Sequence, residues 1–455
     1  MEAARALGIA IPGTEYDPVE VLRRYADDPV LTLVFTRNIA KAEELGRRLR
    51  SVLPPELQGR VAVHHHLASR VDRAEQEERA RRGEVKILIS PRTLSQGLDI
   101  GLVGRIVHVG LPESTREFIQ KEGRKGRRES LEYSETIVFP LSAWDRELLS
   151  RGIETLRRWM ELGPERALVN PRNKYMELFE SLAQFISPSM RPSMPRERYE
   201  FLRSMGLVEG NELTDAGKRV WRNMNFYEFA PPFGVKRLMD EEPSPRYLED
   251  VSHCDLVEKF QPGSIDYSAD GVVVEHRRSE GAVTAIVERR LSERTLWDYA
   301  PLAQAYEEYE KAKFQWRERP NLFSDYVNGR LHSDVRCIVY PPRRGFGRYD
   351  KIPNRVLWRI YSSQPFVRRV SERTVVRRDM RVVDVPASTS GRYSDYTYGV
   401  NLELDPMEDV NLIRIGLAYV LIVLRRRHGI SLDALQYDLG KVGEKKYMGL
   451  HEPES

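Results

Sequence analysis

The chain has 455 residues, of which 41% are hydrophobic, so it is long enough to form three or four domains with buried cores. Its formal net charge of +4 identifies no partner by itself. The two cysteines lack a CxxC spacing, which argues against a disulfide framework and a structural zinc site. The first residues lack the basic segment and apolar core of a signal peptide. We therefore expect a cytoplasmic protein without a membrane partner.

Residues 30–140 alternate short apolar runs with helical stretches, which predicts a parallel α/β sheet. Ligands of such sheets bind beyond the carboxyl ends of the strands, so the loops that follow the strands are candidate sites. The predicted strands are Val30–Phe35, Arg60–His66, Val85–Ser90, Arg105–Pro112 and Glu135–Pro140. The predicted helices are Asn38–Arg50, Arg70–Arg82 and Ser114–Glu122.

Three stretches of this region stand in a characteristic order: "FTRNIAKAEELGRRL" after the first strand, then "GLDIG" near residue 98, then "QKEGRKGRR" from Gln120 to Arg128. Together they resemble the second RecA-like lobe of superfamily-two helicases, and "VHHHLASRVDRAEQE" is similar to a segment of helicases of the Lhr and MrfA type. "GLDIG" matches the core of motif V, and "QKEGRKGRR" matches motif VI. The resemblance implies a RecA-like lobe followed by helical, winged-helix and β-rich accessory domains.

Motif VI supplies the candidate residues for ATP chemistry. A guanidinium is a permanently charged planar fork that stabilises the charge of a transferred phosphoryl group. The resemblance implies that Arg124 and Arg127 are arginine fingers and that Gln120 contacts nucleotide or the opposite lobe. Gly123 and Gly126 carry no side chain, so the backbone there can approach a phosphate or the opposite lobe closely.

Motif V supplies the remaining nucleotide candidates. The resemblance implies that Asp99 accepts hydrogen bonds from the ribose or couples the ATP state to nucleic acid, with Gly97 forming the tight turn beside it. The sequence departs from the family where motif V usually has threonine, because Pro91 occupies that position. Ser90 and Thr93 are the candidate replacement hydroxyls. In motif VI, Lys121 stands where many relatives have arginine, which is a milder change.

Other polar residues follow the strands. Arg37 and Asn38 are candidates for a phosphate contact, although helix capping explains Asn38 equally well. The run His64-His65-His66 suggests metal, but strand neighbours point to opposite faces. We therefore favour a structural or nucleic-acid-contacting role for His65 and expect no metal site.

Two motifs of a complete helicase motor are missing from the sequence. It contains neither the phosphate loop G-x-x-x-x-G-K-[ST] nor an acidic D-E-x-x strand end for magnesium. We expect ATP and Mg²⁺ to be shared with a second polypeptide that carries the N-terminal RecA-like ATPase lobe, and we identify no Mg²⁺ ligands in this chain.

The rest of the chain differs in its sequence pattern from the first region. We predict a helicase lobe at 1–145, a helical and winged-helix-like region at 146–235, a small β-rich domain with a helix at 236–330, and a basic strand-rich domain with a terminal helix at 331–455. Within the terminal helix, the apolar run Ile415–Leu424 is too short to span a membrane, and we predict a buried helix.

Nucleic-acid binding has independent support in Arg336–Arg392. This stretch contains fourteen basic and four acidic residues, with aromatic residues between them. Cations for phosphates and rings for stacking are features of single-strand binding. Arg343, Arg344 and Arg348 are the named candidates. A strand face with core aromatics explains the pattern equally well.

The prediction is the C-terminal half or a subunit of a split ATP-dependent DNA helicase or translocase, acting on single-stranded or forked DNA. The preference for DNA rests on the resemblance to the Lhr and MrfA types. The alternative is a non-catalytic nucleic-acid-binding or scaffold protein with a degenerate lobe, which Pro91 favours.

Overall fold

The protein is described from a computed structural model. The structure describes residues 17–91, 102–112, 114–125, 134–141, 145, 148–149, 151–161, 163–165, 170, 172–224, 234–279, 282–370, 373–432, 434–442 and 444–452.

The first sheet has five parallel strands in the order β2-β3-β1-β4-β5. Its strands are β1 (Leu31–Phe35), β2 (Val61–Val63), β3 (Ile87–Ser90), β4 (Val103–Val109) and β5 (Glu135–Phe139). Its helices are α1 (Pro18–Leu22), α2 (Ile39–Val52), α3 (Pro55–Gln58), α4 (Arg70–Arg81) and α5 (Thr115–Glu122). The predicted parallel α/β lobe is confirmed.

Both faces of this sheet are covered, as expected for parallel strands that read as continuous apolar runs. One core cluster joins α1 and α2 to the sheet through residues such as Leu22, Leu45 and Val34. A second cluster on the other face joins α4 through Ala80 to Leu33 and Leu88. Every residue of β1, β3 and β4 is buried, so the lobe has its own two-sided core.

A mostly helical region follows the lobe. Its helices are α6 (Ile153–Glu161), α7 (Lys174–Ile186), α8 (Arg196–Ser204) and α9 (Asp215–Asn223), and a short ribbon of β6 (Val208–Glu209) and β7 (Glu212–Leu213) lies between α8 and α9. Gly206 ends α8 with a φ of 70°, a conformation that favours glycine. The Thr214 hydroxyl caps α9 by accepting the Gly217 N–H at 3.1 Å. A ribbon between two helices suits the winged-helix prediction, which stays a prediction.

Two β-rich units complete the chain, so the expected accessory domains are present. The second sheet has the order β10-β11-β12-β8-β9 and the third β13-β14-β18-β20-β19, with β17 on β14 and a separate β15–β16 ribbon. Strands of the second sheet are β8 (Val235–Met239), β9 (Arg246–Val251), β10 (Ile265–Asp266), β11 (Gly271–Ser279) and β12 (Ala282–Arg290). Later strands are β13 (Leu331–Tyr340), β14 (Arg344–Tyr361), β15 (Phe366–Val370), β16 (Arg373–Arg377), β17 (Met380–Val385), β18 (Tyr393–Leu404), β19 (Gln436–Val442) and β20 (Lys445–His451). Their helices are α10 (His253–Glu258), α11 (Glu293–Asp298), α12 (Ala300–Gln315), α13 (Leu322–Val327) and α14 (Val410–His428).

The β-rich units contact the lobe directly. The Arg47 guanidinium on α2 pairs with Asp270 at 2.9 Å and lies over the Tyr326 ring at 4.4 Å. Leu67, in the loop after β2, and Ile39, at the start of α2, pack into the core of the second sheet. The carboxyl edge of the lobe sheet is therefore partly covered by the accessory units at β2 and α2.

The prediction that the terminal helix is buried is wrong. None of the residues of α14 is buried, although its centre is almost entirely apolar. Apolar composition predicts burial, but the described chain covers this helix only in part, as at Arg425, whose side chain is 17% exposed.

Among the described residues, no helix combines the length and the apolarity that a membrane crossing requires.

Candidate nucleotide and nucleic-acid site

Motif VI begins on α5, which starts at the carboxyl end of β4. The Ser114 hydroxyl caps the helix by accepting the Glu117 N–H at 3.1 Å. A second, distant carboxylate covers the same helix end: Glu165 accepts the N–H groups of Thr115 at 3.1 Å and Arg116 at 3.0 Å. The first N–H groups of a helix have no partner inside it, and a negative charge there is favourable. Glu165 therefore fixes where motif VI begins.

Glu165 also ties motif VI to the far end of the chain. Its carboxylate pairs with Arg425 of α14 at 3.1 Å, and both side chains are mostly buried. Burial alone would raise the pKa of Glu165, but the hydrogen bonds from the Arg116 and Thr115 N–H groups and the Arg425 charge outweigh it, so this pKa is lowered. The carboxylate therefore stays ionised between α5 and α14, which lie far apart in the chain.

The other end of α5 is held by Glu122. Its carboxylate lies 2.8 Å from His108 Nε2 and 2.7 Å from Lys125 Nζ, and it accepts the Thr136 hydroxyl at 2.6 Å. Burial would raise the pKa of Glu122, but these three hydrogen bonds outweigh it and the pKa is lowered. Since His108 is on β4 and Thr136 on β5, the end of the motif VI helix is fixed to two strands.

A column of rings crosses the lobe at this point. His108 is fully buried and stacks between Phe35 at 6.1 Å and Phe118 at 4.9 Å, and Phe118 meets the edge of Trp159 at 5.5 Å. Burial lowers the pKa of His108 more than Glu122 raises it, so the ring is neutral and its Nε2–H donates to Glu122. The column joins β1, β4, α5 and α6.

The basic residues of motif VI are not equivalent. Lys121 is buried: its ammonium lies 4.9 Å from the Phe35 ring centre and 2.7 Å from Glu117. Arg124 follows the helix and is 9% exposed, and its N–H donates to the Lys121 carbonyl at 3.1 Å. Gln120 is exposed on the helix. Both side chains are buried in this conformation, Lys121 within the helix and Arg124 where the helix gives way to the turn.

Gly123 is the residue at which α5 ends. It is exposed, its φ is −64°, and an added Cβ would meet only the Ile119 and Gln120 carbonyls, at 3.4 and 3.6 Å. Neither the backbone conformation nor the described neighbours require glycine there. Arg127, Gly97, Asp99 and Thr93 lie outside the described residues, so their roles stay predictions.

The carboxyl ends of β3, β1 and β4 lie side by side, which brings the entry to motif V next to motif VI. Phe35 is in register with Ser90 on one side and with His108 on the other. Ser90 is fully buried, and its carbonyl accepts the Thr36 N–H at 3.1 Å. The hydroxyl of Ser90 therefore does not reach the surface in this conformation, and Pro91 after it is buried too.

The residues after β1 have partners inside the lobe. Asn38 caps α2 by accepting the Lys41 N–H at 2.8 Å, which is the capping role that the sequence allowed. Arg37 pairs with both oxygens of the buried Asp145, at 3.1 and 3.2 Å, and its side chain remains 39% exposed. Of Arg37 and Asn38, only Arg37 thus offers a positive charge that remains accessible to a phosphate.

Two residues of the histidine run, His64 and His65, are buried and bound to carboxylates. His65 is 1% exposed and its Nε2 lies 2.8 Å from Glu43, while the Nε2 of His64 lies 2.9 Å from Glu77. Nucleic acid cannot reach the His65 ring in this conformation. Across the described part of the chain, no group of three or more His, Cys, Asp or Glu side chains could hold a metal ion.

The basic C-terminal stretch divides into paired and unpaired cations. Arg348 and Arg392 both bind Asp350, at 3.0 and 2.7 Å, and Arg381 binds Glu308. Arg343 and Arg344 are exposed where β13 turns into β14, and neither has an ion pair within the described residues. These two are the candidates that the structure leaves available.

The aromatic half of the single-strand prediction needs correction. Trp358, Tyr393 and Tyr349 are buried in the cores of the β-rich units, and Phe346 packs on Tyr396 and Tyr398. Strands that face a core need inward aromatics, and this requirement explains the interleaving. Tyr340, 44% exposed beside the Arg343 turn, remains available for stacking.

Comparison with known proteins identifies the first domain. Residues 18–129 match the model of the helicase conserved C-terminal domain. This segment is a helicase C-terminal lobe. It contains α5, Glu122 and His108, whereas Thr136, Glu165 and Arg425 lie outside the matched residues.

Curated relatives of the helicase lobe are similar over short stretches. The ATP-dependent helicase Lhr-Core of Methanothermobacter thermautotrophicus is 32% identical over 110 residues, which are 24% of this chain and 13% of that protein. Lhr-Core of Sulfolobus acidocaldarius is 35% identical over 98 residues, covering 21% of this chain and 11% of that protein. The ATP-dependent RNA helicase rok1 of Aspergillus oryzae is 27% identical over 143 residues, covering 28% and 20%. The chain thus matches a small part of each relative.

The similarity of fold extends past the helicase lobe. The crystal structure of the DUF1998 helicase MrfA bound to DNA covers 95% of this chain, with a TM-score of 0.56 and 11% identity. The structure of MrfA bound to DNA and AMPPNP covers 98%, with a TM-score of 0.57 and 12% identity. The chain spans 55–56% of the MrfA chains. The accessory units therefore share the MrfA architecture, as the sequence resemblance implied.

Sequence reasoning missed Glu165, Arg425 and His108. Glu165 lies in a loop with no motif around it, and Arg425 belongs to a run of three arginines that gives no sign which one is anchored. The signal for His108 was a polar residue in the middle of "RIVHVGLP", an otherwise apolar strand. A polar residue buried in such a strand needs a hydrogen-bond partner, and this requirement is the signal that marks His108.

The neutral state of His108 makes the stability of the helicase lobe depend on pH. An unfolded histidine titrates near 6.5, and the folded pKa is lower, so acidification favours the unfolded chain. We expect the free energy of unfolding to fall by up to about 1.4 kcal/mol per pH unit below 6.5 from this group. Chemical unfolding followed between about pH 7.5 and 5.5 measures it. His108→Gln should reduce this dependence, and an unchanged slope would contradict the assignment.

Proposed function

We propose that this chain is the C-terminal half or a subunit of an ATP-dependent superfamily-two DNA helicase or translocase. It supplies arginine fingers and nucleic-acid contacts to an ATPase lobe that carries the phosphate loop and the acidic magnesium motif. The observation that carries the proposal is the match of residues 18–129 to a helicase C-terminal domain, with the motif VI helix anchored at both ends.

The anchored helix supports the arginine-finger role of Arg124. A finger acts through position, since its charge must lie against the developing phosphoryl charge when the cleft closes. Glu165 and Glu122 fix α5 at its two ends, and Arg124 lies two residues beyond the second anchor. Arg127 is proposed as the second finger on the resemblance of motif VI alone.

Gly123 supports a close approach from outside the chain. Nothing in its own conformation or in its described neighbours requires glycine, and it is exposed between Gln120 and Arg124. An absent side chain is useful there if a phosphate or the opposite lobe reaches the backbone. Gln120, Gly123, Gly97 and Asp99 are accordingly proposed as the nucleotide-facing residues of this lobe.

ATP with Mg²⁺ is the proposed cofactor. The described side of the cleft offers an exposed backbone turn at Gly123, which suits phosphate groups. Under this proposal the carboxylate that holds Mg²⁺ belongs to the ATPase lobe. The chemistry that Mg²⁺ supplies is neutralisation of the β- and γ-phosphate charge.

DNA is the proposed nucleic acid, as a single strand or a fork. MrfA, whose fold covers 95% of this chain, was crystallised with DNA. The exposed turn with Arg343 and Arg344, next to Tyr340, combines phosphate-binding cations with an accessible ring. Arg37 offers another accessible cation at the edge of the lobe sheet.

The role of the turn with Arg343 and Arg344 can be tested by the salt dependence of DNA affinity. Replacing Arg343 and Arg344 with alanine should weaken single-stranded DNA binding and reduce the slope of log affinity against log salt by about 1.4, since each lost phosphate contact removes about 0.7. Fluorescence anisotropy at several salt concentrations measures the slope. Arg381→Ala removes a cation that is already paired with Glu308 and is the control. Equal slopes for all three proteins would rule out this turn.

The proposed function is tested by reconstitution. The chain is purified alone and with a candidate ATPase lobe, such as the product of an adjacent reading frame with both motifs, and DNA-stimulated ATP turnover is measured. We expect turnover in the mixture only. Robust turnover by this chain alone, or none with any candidate lobe, would overturn the proposal.

Pro91 favours a second candidate, a non-catalytic nucleic-acid-binding or scaffold protein. Proline replaces the usual motif V threonine, and the neighbouring Ser90 hydroxyl is buried. This candidate predicts that Arg124→Ala and Arg127→Ala leave every activity of the assembly unchanged. Loss of DNA binding in the Arg343 and Arg344 variant alone would then support it.

A further inference from the structure

Asp350 on β14 holds two arginines at once, Arg348 and Arg392, which we call the arginine pair. Asp350 Oδ1 accepts the Nε–H of each arginine at 3.0 Å, and Asp350 Oδ2 accepts Arg392 Nη2–H at 2.7 Å. The Ser394 hydroxyl also donates to Oδ1, at 2.5 Å. Since Asp350 is only 8% exposed, its carboxylate is the buried base of this cluster.

One carboxylate cannot neutralise two guanidinium groups. Within the described part of the chain, Arg348 and Arg392 have no carboxylate partner other than Asp350. The cluster therefore keeps one uncompensated positive charge, because both guanidinium groups are permanently ionised. The side chains of Arg348 and Arg392 are 41% and 51% exposed, so an anion from outside the chain can reach this charge.

Both arginines also keep N–H groups for a further acceptor. A guanidinium has five N–H donors in a rigid fork. Arg392 uses Nε and Nη2 on Asp350, while Arg348 uses Nε on Asp350 and Nη2 on the Ser394 hydroxyl, at 3.3 Å. The Nη1 groups of the arginine pair have no hydrogen-bond partner among the residues that the structure describes. Because the forks are already fixed, little side-chain entropy is lost when an anion binds.

Tyr340 lies on the same face of the sheet as the arginine pair. Tyr340 on β13 is directly opposite Asp350, and Asp350 is directly opposite Ser394 on β18. Directly opposite residues of antiparallel strands have their side chains on one face. The Tyr340 ring is 44% exposed, so an accessible ring lies one strand away from the arginine pair.

This combination suits a nucleic-acid strand. The exposed Arg343 and Arg344 follow Tyr340 closely in the chain, and the arginine pair lies across from it. A strand of DNA presents phosphates that a guanidinium fork matches, and bases that stack on an aromatic ring. A ring with cations on either side therefore fits successive nucleotides of one strand.

We propose that the arginine pair, held by Asp350, binds one phosphate of single-stranded DNA while Tyr340 stacks on a neighbouring base. This site rests on the proposed function and extends the DNA surface beyond the turn described above. Asp350 and Ser394 are positioning residues, because they contact the arginines and not the phosphate.

Arg392→Ala tests the phosphate contact in the full chain. It leaves Arg348 and Asp350 as a pair without net charge, and Asp350 still accepts the Ser394 hydroxyl, so the fold should be preserved. The slope of log affinity against log salt for a single-stranded deoxythymidine oligonucleotide should fall by about 0.7, the value for one phosphate contact. Arg348→Ala should give the same decrease, because it leaves Arg392 paired with Asp350. Fluorescence anisotropy measures the slope, and circular dichroism checks that each variant is folded.

Arg355→Ala is the matched control. It removes the same charge from the same strand, and its side chain is 56% exposed and pairs with Asp384 at 3.6 Å. Its slope should equal that of the unchanged chain. An equal decrease in Arg355→Ala and Arg392→Ala would show a general effect of charge and would overturn the site.

Tyr340→Ala tests the stacking contact separately. Its affinity for the oligonucleotide should fall about tenfold at an unchanged salt slope, because a stacked base and not a charge is lost. Tyr340→Phe keeps the ring and should retain the affinity. With an abasic oligonucleotide, Tyr340→Ala and the unchanged chain should bind equally. A tenfold loss with the abasic oligonucleotide as well would contradict stacking.

Inorganic phosphate distinguishes a free anion from DNA. Binding of inorganic phosphate that Arg392→Ala abolishes, with an unchanged slope for the oligonucleotide, would assign the arginine pair to a free phosphate and overturn the proposal. ATP turnover does not enter this experiment, so the two proposals can fail separately. A chain that binds DNA through Arg392 but supports no turnover with an ATPase lobe would keep this site and lose the helicase function.

Discussion

Arg124→Ala should lower the ATP turnover of the reconstituted motor by about 10³-fold, the low end of the effect of an arginine finger. The loss should appear in kcat, because the guanidinium stabilises charge that develops only in the transition state. Nucleotide affinity and DNA binding should change much less. Steady-state turnover with saturating DNA, together with nucleotide affinity from fluorescence, separates these quantities.

Two variants make this experiment specific to the finger. Arg124→Lys keeps the charge but not the planar fork, so it should recover little of the lost turnover. Arg116→Ala removes an exposed cation from the same helix while its N–H still binds Glu165, and it should leave turnover nearly unchanged. Full activity of Arg124→Ala, or equal losses in Arg116→Ala, would contradict the finger assignment.

Glu165→Ala should lower the free energy of unfolding by about 3 kcal/mol, the usual cost of removing one partner of a buried ion pair. The substitution leaves the buried Arg425 without its carboxylate and uncovers the Thr115 and Arg116 N–H groups. The start of the motif VI helix then loses a fixed position. Turnover of the reconstituted motor should fall with stability, although Glu165 lies outside motif VI.

Graded variants separate charge from hydrogen bonding at Glu165. Glu165→Gln retains an acceptor for the two N–H groups and should cost less than alanine, because only the charge is lost. In the unchanged chain the pKa of Glu165 is lower when folded than when unfolded. Its contribution to the free energy of unfolding is therefore present above the unfolded pKa and is lost as the pH falls through the folded pKa. Glu165→Gln removes that pH dependence. Glu161→Ala, at an exposed position on α6, is the control. Chemical unfolding that gave equal values for Glu161→Ala and Glu165→Ala would refute the anchor.

The lobe fold was predictable because each of its elements is specified by local sequence. Apolar runs such as "VLTLVF" and "VKILIS" became β1 and β3, and Asn38 and Ser114 capped the helices that the patterns indicated. Parallel order followed from the alternation of strand and helix. Local signals of this kind also located Gly206 and Thr214 in the helical region.

The wrong predictions concern burial, because composition alone does not distinguish a buried apolar residue from an exposed one. An apolar helix looks the same whether the chain covers it or another surface does, so α14 was predicted to be buried. Aromatic residues between arginines look the same in a core and on a binding face, and Trp358 and Tyr393 proved to be core. In each case, burial depends on distant parts of the chain that a local pattern does not contain.

The candidate site was predictable where a motif marked it and hidden where long-range contacts built it. "QKEGRKGRR" located Arg124 and Gln120, but nothing in it indicated that Lys121 points into the lobe. The Glu165 anchor joins residues 115, 165 and 425, and no spacing rule connects those positions. Motifs thus mark candidate ligand-facing residues better than the residues that hold them in place.

The ring column from Phe35 through His108 and Phe118 to Trp159 gives the lobe a mechanical linkage. Packed aromatic rings resist compression, so we expect a shift of α5 along the sheet to move Trp159 as well. A displacement of motif VI would then also move α6, which carries Trp159. The packed rings would in this way couple the position of motif VI to the helical region that follows the lobe.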